Sequence, residues 1–272
     1  MAGPLISFLT DFGLRDPSAA IMRGVVLGIV PEARIVDISH EVHKYAIRDG
    51  ALLLWCALPW LPVGFHVAVV DPGVGTARLP VAIATGRGDV LIGPDNGLLV
   101  AAAARLDGIR AVHVLEAGAY RLPVISTSFH GRDIFAPAAA HLAGGVPIAD
   151  LGPALDPATL VASPIGEPRI RDGELGSSVV YVDTFGNVKL AGLRADLEAA
   201  VGPLRPGDAL RLARHGGPAI DTLWQSTFGD VAIGETLVYE DSYGRICLAA
   251  SQASAAAIHA IVEDEPITIR RH

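Results

Sequence analysis

The first half of this chain keeps returning to one pattern: a short aliphatic run, a polar exit, then a segment of helical period. Residues 4–10 read as a buried strand that leaves into Asp11, Phe12 and Gly13, with a helix over residues 19–29. Residues 35–38 give a second strand ending at Ser39 and His40, ahead of a helix over 46–58. Residues 65–70 give a third, whose exit is Asp71-Pro72-Gly73-Val74-Gly75-Thr76 with Arg78 close behind. Residues 90–93 give another, ending in Pro94-Asp95-Asn96-Gly97 before a helix over 98–106. Such alternation predicts a mostly parallel sheet with helices on both faces, because each parallel return needs a crossover.

From Gly176 the texture changes to short runs separated by turn residues, among them Val179-Val180-Tyr181-Val182, Val188-Lys189-Leu190, Ile246-Cys247-Leu248-Ala249 and Ile267-Thr268-Ile269. That spacing predicts a small barrel. Residues 147–171, rich in Pro, Gly and Ala, read as a linker. The expected fold is an α/β N-terminal domain with a mostly parallel sheet over residues 1–165, plus a smaller C-terminal β-barrel domain over residues 174–272.

Composition enters as a set of exclusions. A chain of 272 residues that is 51% hydrophobic can bury substantial cores and is not disordered. Its net charge of −8, without a basic run, argues against nucleic acid as a partner. Cys56 and Cys247 sit in apolar context without metal-ligand spacing, as buried thiols of a reducing compartment do. The most apolar stretch, residues 51–61, is interrupted by Pro59 and falls short of the roughly 18 residues a membrane helix needs. With no signal-peptide pattern after Met1, the expectation is a soluble, cytoplasmic protein without a membrane partner.

Phe129, His130, Gly131, Arg132 and Asp133 are consecutive and run straight into a small-residue helix pattern. Polar groups at that density are costly to bury unless paired, so they mark either a site or a helix start. In the second case Asp133 is a cap or first-turn acid, Arg132 faces solvent and His130 is a loop histidine. Asp11, Asp16 and Ser18 follow a strand's carboxyl end, where ligands bind in open α/β sheets, although Asp16 can equally cap the helix behind it. The 71–76 loop has the glycines for close approach to a ligand but not the Gly-Lys-Ser/Thr of a phosphate loop. Arg87-Gly88-Asp89 reads as a turn.

Six motifs occur in order along nearly the whole chain: Thr10-Asp11-Phe12-Gly13, Ser39-His40-Glu41-Val42, Asp71-Pro72-Gly73-Val74-Gly75, Gly93-Pro94-Asp95-Asn96-Gly97-Leu98-Leu99, Phe129-His130-Gly131-Arg132-Asp133 and Asp183-Thr184-Phe185-Gly186-Asn187. The series resembles the S-adenosylmethionine hydroxide adenosyltransferases, water-using relatives of the fluorinase and chlorinase enzymes. The resemblance implies attack of water on the 5′ carbon of S-adenosyl-L-methionine, releasing adenosine and methionine. It implies a small-molecule substrate, no cofactor, no metal, and a homotrimer with its active site at the subunit interface. Carried over by position, the catalytic residues are Asp71, Arg78 and His130. The substrate-binding residues are Asp11 at the ribose, Tyr45 as a wall, Asp16, Ser18 and Asp183 at the methionine end, Asn187 at the adenine edge, Phe129 and Phe228 beside the nucleoside, and Ser242. Gly131 stands where the fluorinase has a halide-gripping serine, Asp71 where it has a tyrosine, and residues 76–90 are too few for the halogenating enzymes' extra loop. Tyr243 stands where the fluorinase has an arginine at the methionine carboxylate.

Two rival functions use the same residues. Asp11, His40, Asp71, His130 and Asp133 near strand ends would suit a metal-dependent phosphoesterase or nucleotide hydrolase, although no HxD, HExxH or DxD spacing supports one. A sensor of adenosine or S-adenosyl-L-methionine would bind in the same pocket without turnover.

Overall fold

Every residue of β1 (Leu5–Thr10) is buried, as a strand covered on both faces must be. The structure, a computed structural model, describes residues 3–171 and 173–272. The chain divides into two compact units, Met1–Pro164 and Ile165–His272.

In the first unit β1 is joined by β2 (Arg34–Ser39), β3 (Phe65–Val69), β4 (Pro80–Thr85), β5 (Val90–Pro94) and β6 (Ile109–Val114), in the order β2-β1-β3-β5-β4-β6. The pairs β1/β2, β1/β3 and β3/β5 are parallel, whereas β4 is antiparallel to β5 and β6. The Arg87-Gly88-Asp89 turn, with Gly88 at φ 105°, is too short for a crossover and returns the chain antiparallel. Four helices cover the sheet: α1 (Ser18–Ile29), α2 (Ile47–Ala57), α3 (Val100–Arg105) and α4 (Ala136–Ala143). Ile6 and Phe8 of β1 pack with Met22 and Val26 of α1 and with the alanines of α4. Leu9, pointing the other way, meets α2 at Gly50, where an added Cβ would lie 2.8 Å from Leu98 and 3.0 Å from Val70. The pairs α1/α4 and α2/α3 therefore take opposite faces.

Because β1 lies between β2 and β3, the chain leaves it to one side through α1 and returns to the other through α2. That reversal is where open sheets form a crevice at their carboxyl edge. Thr10 is in register with Val69, so Asp11 and Asp71 emerge on this same edge. Deeper in the sheet, Ser7 Oγ lies 2.7 Å from His66 Nδ1 and His66 Nε2 lies 3.0 Å from Asp89 Oδ1, with all three side chains at 0–1% exposure. Burial pushes the Asp89 acid up, but hydrogen bonds from His66 and Arg87 outweigh it and hold the carboxyl well below its usual range.

The stretch expected as a linker is mostly not one. Val114 N–H donates to the Pro153 carbonyl and Leu155 N–H to that of Val112, each at 2.9 Å, so residues 153–155 extend the sheet at its β6 edge. Leu151 is buried beneath them. Pro, Gly and Ala obscured this because the contacts are made by main chain, which carries no hydrophobic period.

In the second unit, β8 (Glu174–Val182), β9 (Val188–Leu193), β10 (Ala209–Arg214), β11 (Ile220–Trp224), β12 (Thr236–Glu240), β13 (Arg245–Ala250) and β14 (Pro266–Arg271) close a barrel of seven strands. Closure comes from β14, which pairs with both β10 and β8. A short strand β7 (Arg169–Arg171) adds onto β8. Inward residues, including Leu175, Val188, Leu210, Trp224, Ile246 and Ile269, fill the interior, and α5 (Arg194–Val201) adds Leu197 to it. A second short helix, α6 (Ala255–His259), follows β13.

Candidate active site

The cleft at the first unit's carboxyl edge has a volume of about 260 Å³ and is lined by Asp11, Phe12, Lys44, Tyr45, Val69, Asp71, Val74, Ser128, His130 and Gly131. Asp71 follows β3, and the loop behind it folds back on itself. Val74 N–H donates to the Asp71 carbonyl and Thr76 N–H to that of Gly73, each at 3.2 Å. Gly75 sits at φ 76°, and an added Cβ there would lie 2.6 Å from the Thr127 carbonyl oxygen. No other residue type fits this position without displacing backbone. The doubled-back loop returns Arg78 to Asp71.

Arg78 Nε donates to Asp71 Oδ1 at 3.2 Å, and its NH2 donates to Asp71 Oδ2 in a close ion pair. The same NH2 lies 3.2 Å from His130 Nδ1. The Arg78 and Asp71 side chains are 6% and 4% exposed, so the pair is screened from solvent. Arg78 also lies over the Phe135 ring at 5.4 Å. His130 immediately precedes a π-helical turn, Gly131–Phe135, that leads into α4; such turns often occur where a helix start serves a site. Burial and the neighbouring Arg78 cation lower the His130 pKa, partly opposed by Asp71. The ring is therefore neutral near pH 7. Since a guanidinium can only donate, Nδ1 is the accepting nitrogen and Nε2 carries the hydrogen.

Asp11, one residue past β1, accepts the Tyr45 N–H at Oδ2 (2.9 Å), while Lys44 Nζ donates to its carbonyl. Tyr45 adopts φ 66°, an uncommon conformation for a non-glycine residue, and its side chain stands 70% exposed at the cleft. Phe12 and Phe129 meet edge to face at 5.8 Å. Gly131 lies against Met22, whose Sδ would be 3.0 Å from an added Cβ. Asp16 and Ser18 do not line this cleft: Asp16 accepts both the N–H (2.9 Å) and the hydroxyl of Ser18, tying down the start of α1. Asp133 accepts from Ser126 N–H (2.8 Å) and Arg132 Nε (2.6 Å), a loop-closing acid with its own cation.

The second unit holds a larger pocket, about 680 Å³, to which Asp183, Asn187, Phe228 and Ser242 all contribute. Asp183 organises its own turn: Oδ1 accepts from Phe185 N–H (2.9 Å) and Asn187 N–H (3.0 Å), and Oδ2 from Asn187 Nδ2 (2.9 Å). These bonds use Asn187 N–H and one Nδ2 hydrogen and leave Asn187 Oδ1 out of the turn. Sequence reasoning missed Lys189, Tyr239 and Asp241 here, whereas Tyr243, noted at the amino-acid end, does line the pocket. Lys189 pairs with Asp241 at 2.5 Å and lies 5.2 Å from the Tyr243 ring. Its signal was available, since a lysine between Val188 and Leu190 on a core strand must find a carboxylate.

Among the described residues no three His, Cys, Asp or Glu side chains converge as a metal site would require. His40 spends both ring nitrogens on Thr10 and Asp37, and Asp133 is held by Arg132, so the donors of the phosphoesterase alternative do not assemble.

A mostly parallel α/β unit with a part-buried Asp–Arg–His cluster at its switch point, followed by a closed barrel with a pocket of its own, defines a two-domain class. Residues 6–152 match the family model described as the SAM hydroxide adenosyltransferase N-terminal domain, and residues 177–268 match the C-terminal domain model. The chain belongs to the SAM hydroxide adenosyltransferase family. It is 47% identical to an (R)-S-adenosyl-L-methionine hydrolase of Salinispora tropica, across 93% of this chain and 92% of that one. It is 41% identical to a protein of the same name from Salinispora arenicola, across 98% and 97% of the two chains. Among solved structures, an uncharacterized conserved protein from Thermotoga maritima superposes with a TM-score of 0.89 at 32% identity, over 98% of this chain and 100% of that one.

Proposed function

We infer that this protein hydrolyses S-adenosyl-L-methionine to adenosine and L-methionine, a reading supported by its family and by relatives bearing the hydrolase name. The observation that carries the chemistry is the screened Asp71–Arg78–His130 cluster in the cleft.

Water, with a pKa near 15.7, attacks carbon poorly unless it is oriented and relieved of a proton. In the proposed mechanism His130 Nε2–H donates to the water oxygen, leaving a lone pair free to face the 5′ carbon. Asp71, acceptor only, takes the proton as the C–O bond forms. Arg78 aligns Asp71 and fixes the His130 tautomer. The C–S bond breaks with its electron pair moving to sulfur, so the sulfonium becomes a neutral thioether and needs no acid to leave. Positive charge is lost on the way to the transition state, and a water-poor cleft favours that change. The steps proposed call on no cofactor or metal.

Asp11 is the proposed ribose acceptor, with Tyr45 and Phe129 beside it. Asp183, Asn187, Phe228 and Ser242 are the proposed contributions of the barrel, and Asp16 and Ser18 remain proposed only for the amino-acid end. The proposal includes a cytoplasmic homotrimer with its active site at the subunit interface, acting on a small molecule and not on nucleic acid. Among the described residues no helix is long and apolar enough to cross a membrane.

The test is chromatography of purified protein incubated with S-adenosyl-L-methionine in heavy-oxygen water, with and without a chelator. Adenosine labelled at the 5′ oxygen, formed equally in both, is expected. Unlabelled adenosine would exclude displacement at carbon, and bound ligand without methionine release would favour the sensor.

A further inference from the structure

Asp11 is aimed into the cleft, yet it lies beyond the end of β1, so its placement depends on whatever holds residues 10–14. The exit of β2 holds them. Gly13 N–H donates to the His40 carbonyl at 2.7 Å, Val42 N–H to the Thr10 carbonyl at 3.4 Å, and Leu14 N–H to Glu41 Oε1 at 2.8 Å. The side-chain link between the two loops is buried: Thr10 Oγ1 lies 2.8 Å from His40 Nδ1, with the residues 0% and 3% exposed. On its far side His40 Nε2 lies 3.0 Å from Asp37 Oδ1 and 3.4 Å from Arg23 NH2. Arg23 of α1 in turn grips Asp37, NH2 to Oδ2 at 2.7 Å.

The partners assign each proton. Nε2 faces a donor as well as an acceptor, but Arg23 NH2 at 3.4 Å is committed to Asp37 Oδ2 at 2.7 Å, so Nε2 gives its hydrogen to the nearer Asp37 Oδ1, and in that tautomer Nδ1 keeps a lone pair. The Thr10 hydroxyl donates to that lone pair and accepts the Phe12 N–H at 3.2 Å. A directed chain therefore runs from the Phe12 amide through Thr10 and His40 to Asp37, with Asp11 inside the turn it closes.

We propose that His40 is a positioning residue: by accepting the Thr10 hydroxyl at Nδ1, it fixes the turn over residues 10–13 and with it the direction of the Asp11 carboxylate. His40 does not line the cleft and makes no contact with Asp71, Arg78 or His130 in the hydrogen-bond network. The inference rests on the reading of this cleft as the S-adenosyl-L-methionine site, and it locates the effect in substrate binding rather than in the chemical step.

Two near-isosteres separate the ring's two contacts. His40→Asn keeps an acceptor near the Nδ1 position and gives up Asp37; His40→Gln reaches Asp37 from near the Nε2 position and gives up Thr10. Steady-state kinetics with S-adenosyl-L-methionine, calorimetric binding of adenosine and thermal midpoints would be measured for both, for Thr10→Val and for the Thr10→Val/His40→Gln pair. His40→Gln and Thr10→Val should each raise KM and the adenosine Kd about tenfold, the loss of one modest hydrogen bond in geometry, with kcat within about threefold. His40→Asn should recover most of that affinity, and the double variant should be no worse than either single. Equal impairment by Asn and Gln, additive losses in the pair, or unchanged KM and Kd in His40→Gln would overturn the proposal. Should His40→Gln not fold, Thr10→Val, nearly the same shape, decides by the same tenfold criterion. A wild-type protein that releases no adenosine would defeat the hydrolase reading instead, and the adenosine Kd series would still decide the role of His40.

Discussion

In the proposed mechanism Asp71 and His130 divide one task between an acceptor and a donor, which would make each expendable for binding but not for turnover. Asp71→Ala or His130→Ala should abolish adenosine formation while leaving S-adenosyl-L-methionine affinity within about tenfold, as measured by single-turnover assay and calorimetry. Wild-type rates in both variants would remove the proposed water site. The proposed arrangement needs neutral His130, because a protonated Nδ1 would face the Arg78 guanidinium without a lone pair, and burial and Arg78 hold its pKa below the ordinary 6.5. Activity should accordingly persist below pH 6.5 before it falls, and a kcat/KM limb centred at or above that value would contradict the assignment. At Gly75 the strain is conformational: Gly75→Ala forces a non-glycine residue to φ 76° against the Thr127 carbonyl, a cost of about 1–3 kcal/mol readable by denaturant titration. The residue types of the cluster were visible in the sequence, but their meeting was not. Asp71 and Arg78 stand seven positions apart and His130 fifty-two beyond Arg78, and only the doubled-back loop joins them. Only the ordered resemblance, not periodicity, grouped them.

The helix α4 gets its place from small side chains, and its neighbours are set by how closely it can lie. Ala136, Ala138, Ala139 and Ala140 are all buried against β1, β3 and α1, so the backbone of α4 approaches the sheet closely. Ala139→Leu should overpack this layer and cost about 1–3 kcal/mol, seen as a lowered denaturation midpoint. Phe135, fully buried under Arg78, ties the π-helical turn to the cluster, and Phe135→Ala should lower both stability, by about 3–5 kcal/mol, and kcat. Strands with strong aliphatic runs were readable because burial on both faces leaves an uninterrupted signal. β11 was not, although Ile220, Thr222 and Trp224 alternate inward, because Asp221 and the Gly-Gly-Pro before it made the segment look like a turn. α5 escaped for the opposite reason: only Leu197 and Ala200 are buried, too thin a stripe to show a helical period.

At the scale of the whole molecule the charge state links stability to acidity. Burial lowers the pKa of His130, His141 and His259 below 6.5. The unfolded chain therefore takes up protons before the folded one. The stability these three contribute is complete above about pH 6.5 and drains away as the pH falls through their folded values, so the denaturation midpoint should drop between about pH 7 and 5. A flat or rising midpoint would contradict this. The two-unit plan followed from the change of texture near Gly176, whereas the stretch over residues 153–155 had to be seen in place, since main-chain pairing leaves no mark in side-chain order. One last consequence belongs to the trio Ser7, His66 and Asp89. Surveys that recognise hydrolases by a serine, a histidine and an aspartate within reach of one another would score these three residues as a nucleophile centre. With every member at 0–1% exposure, no ester could arrive there, and a fluorophosphonate probe should leave Ser7 untouched; geometry without an entrance is masonry.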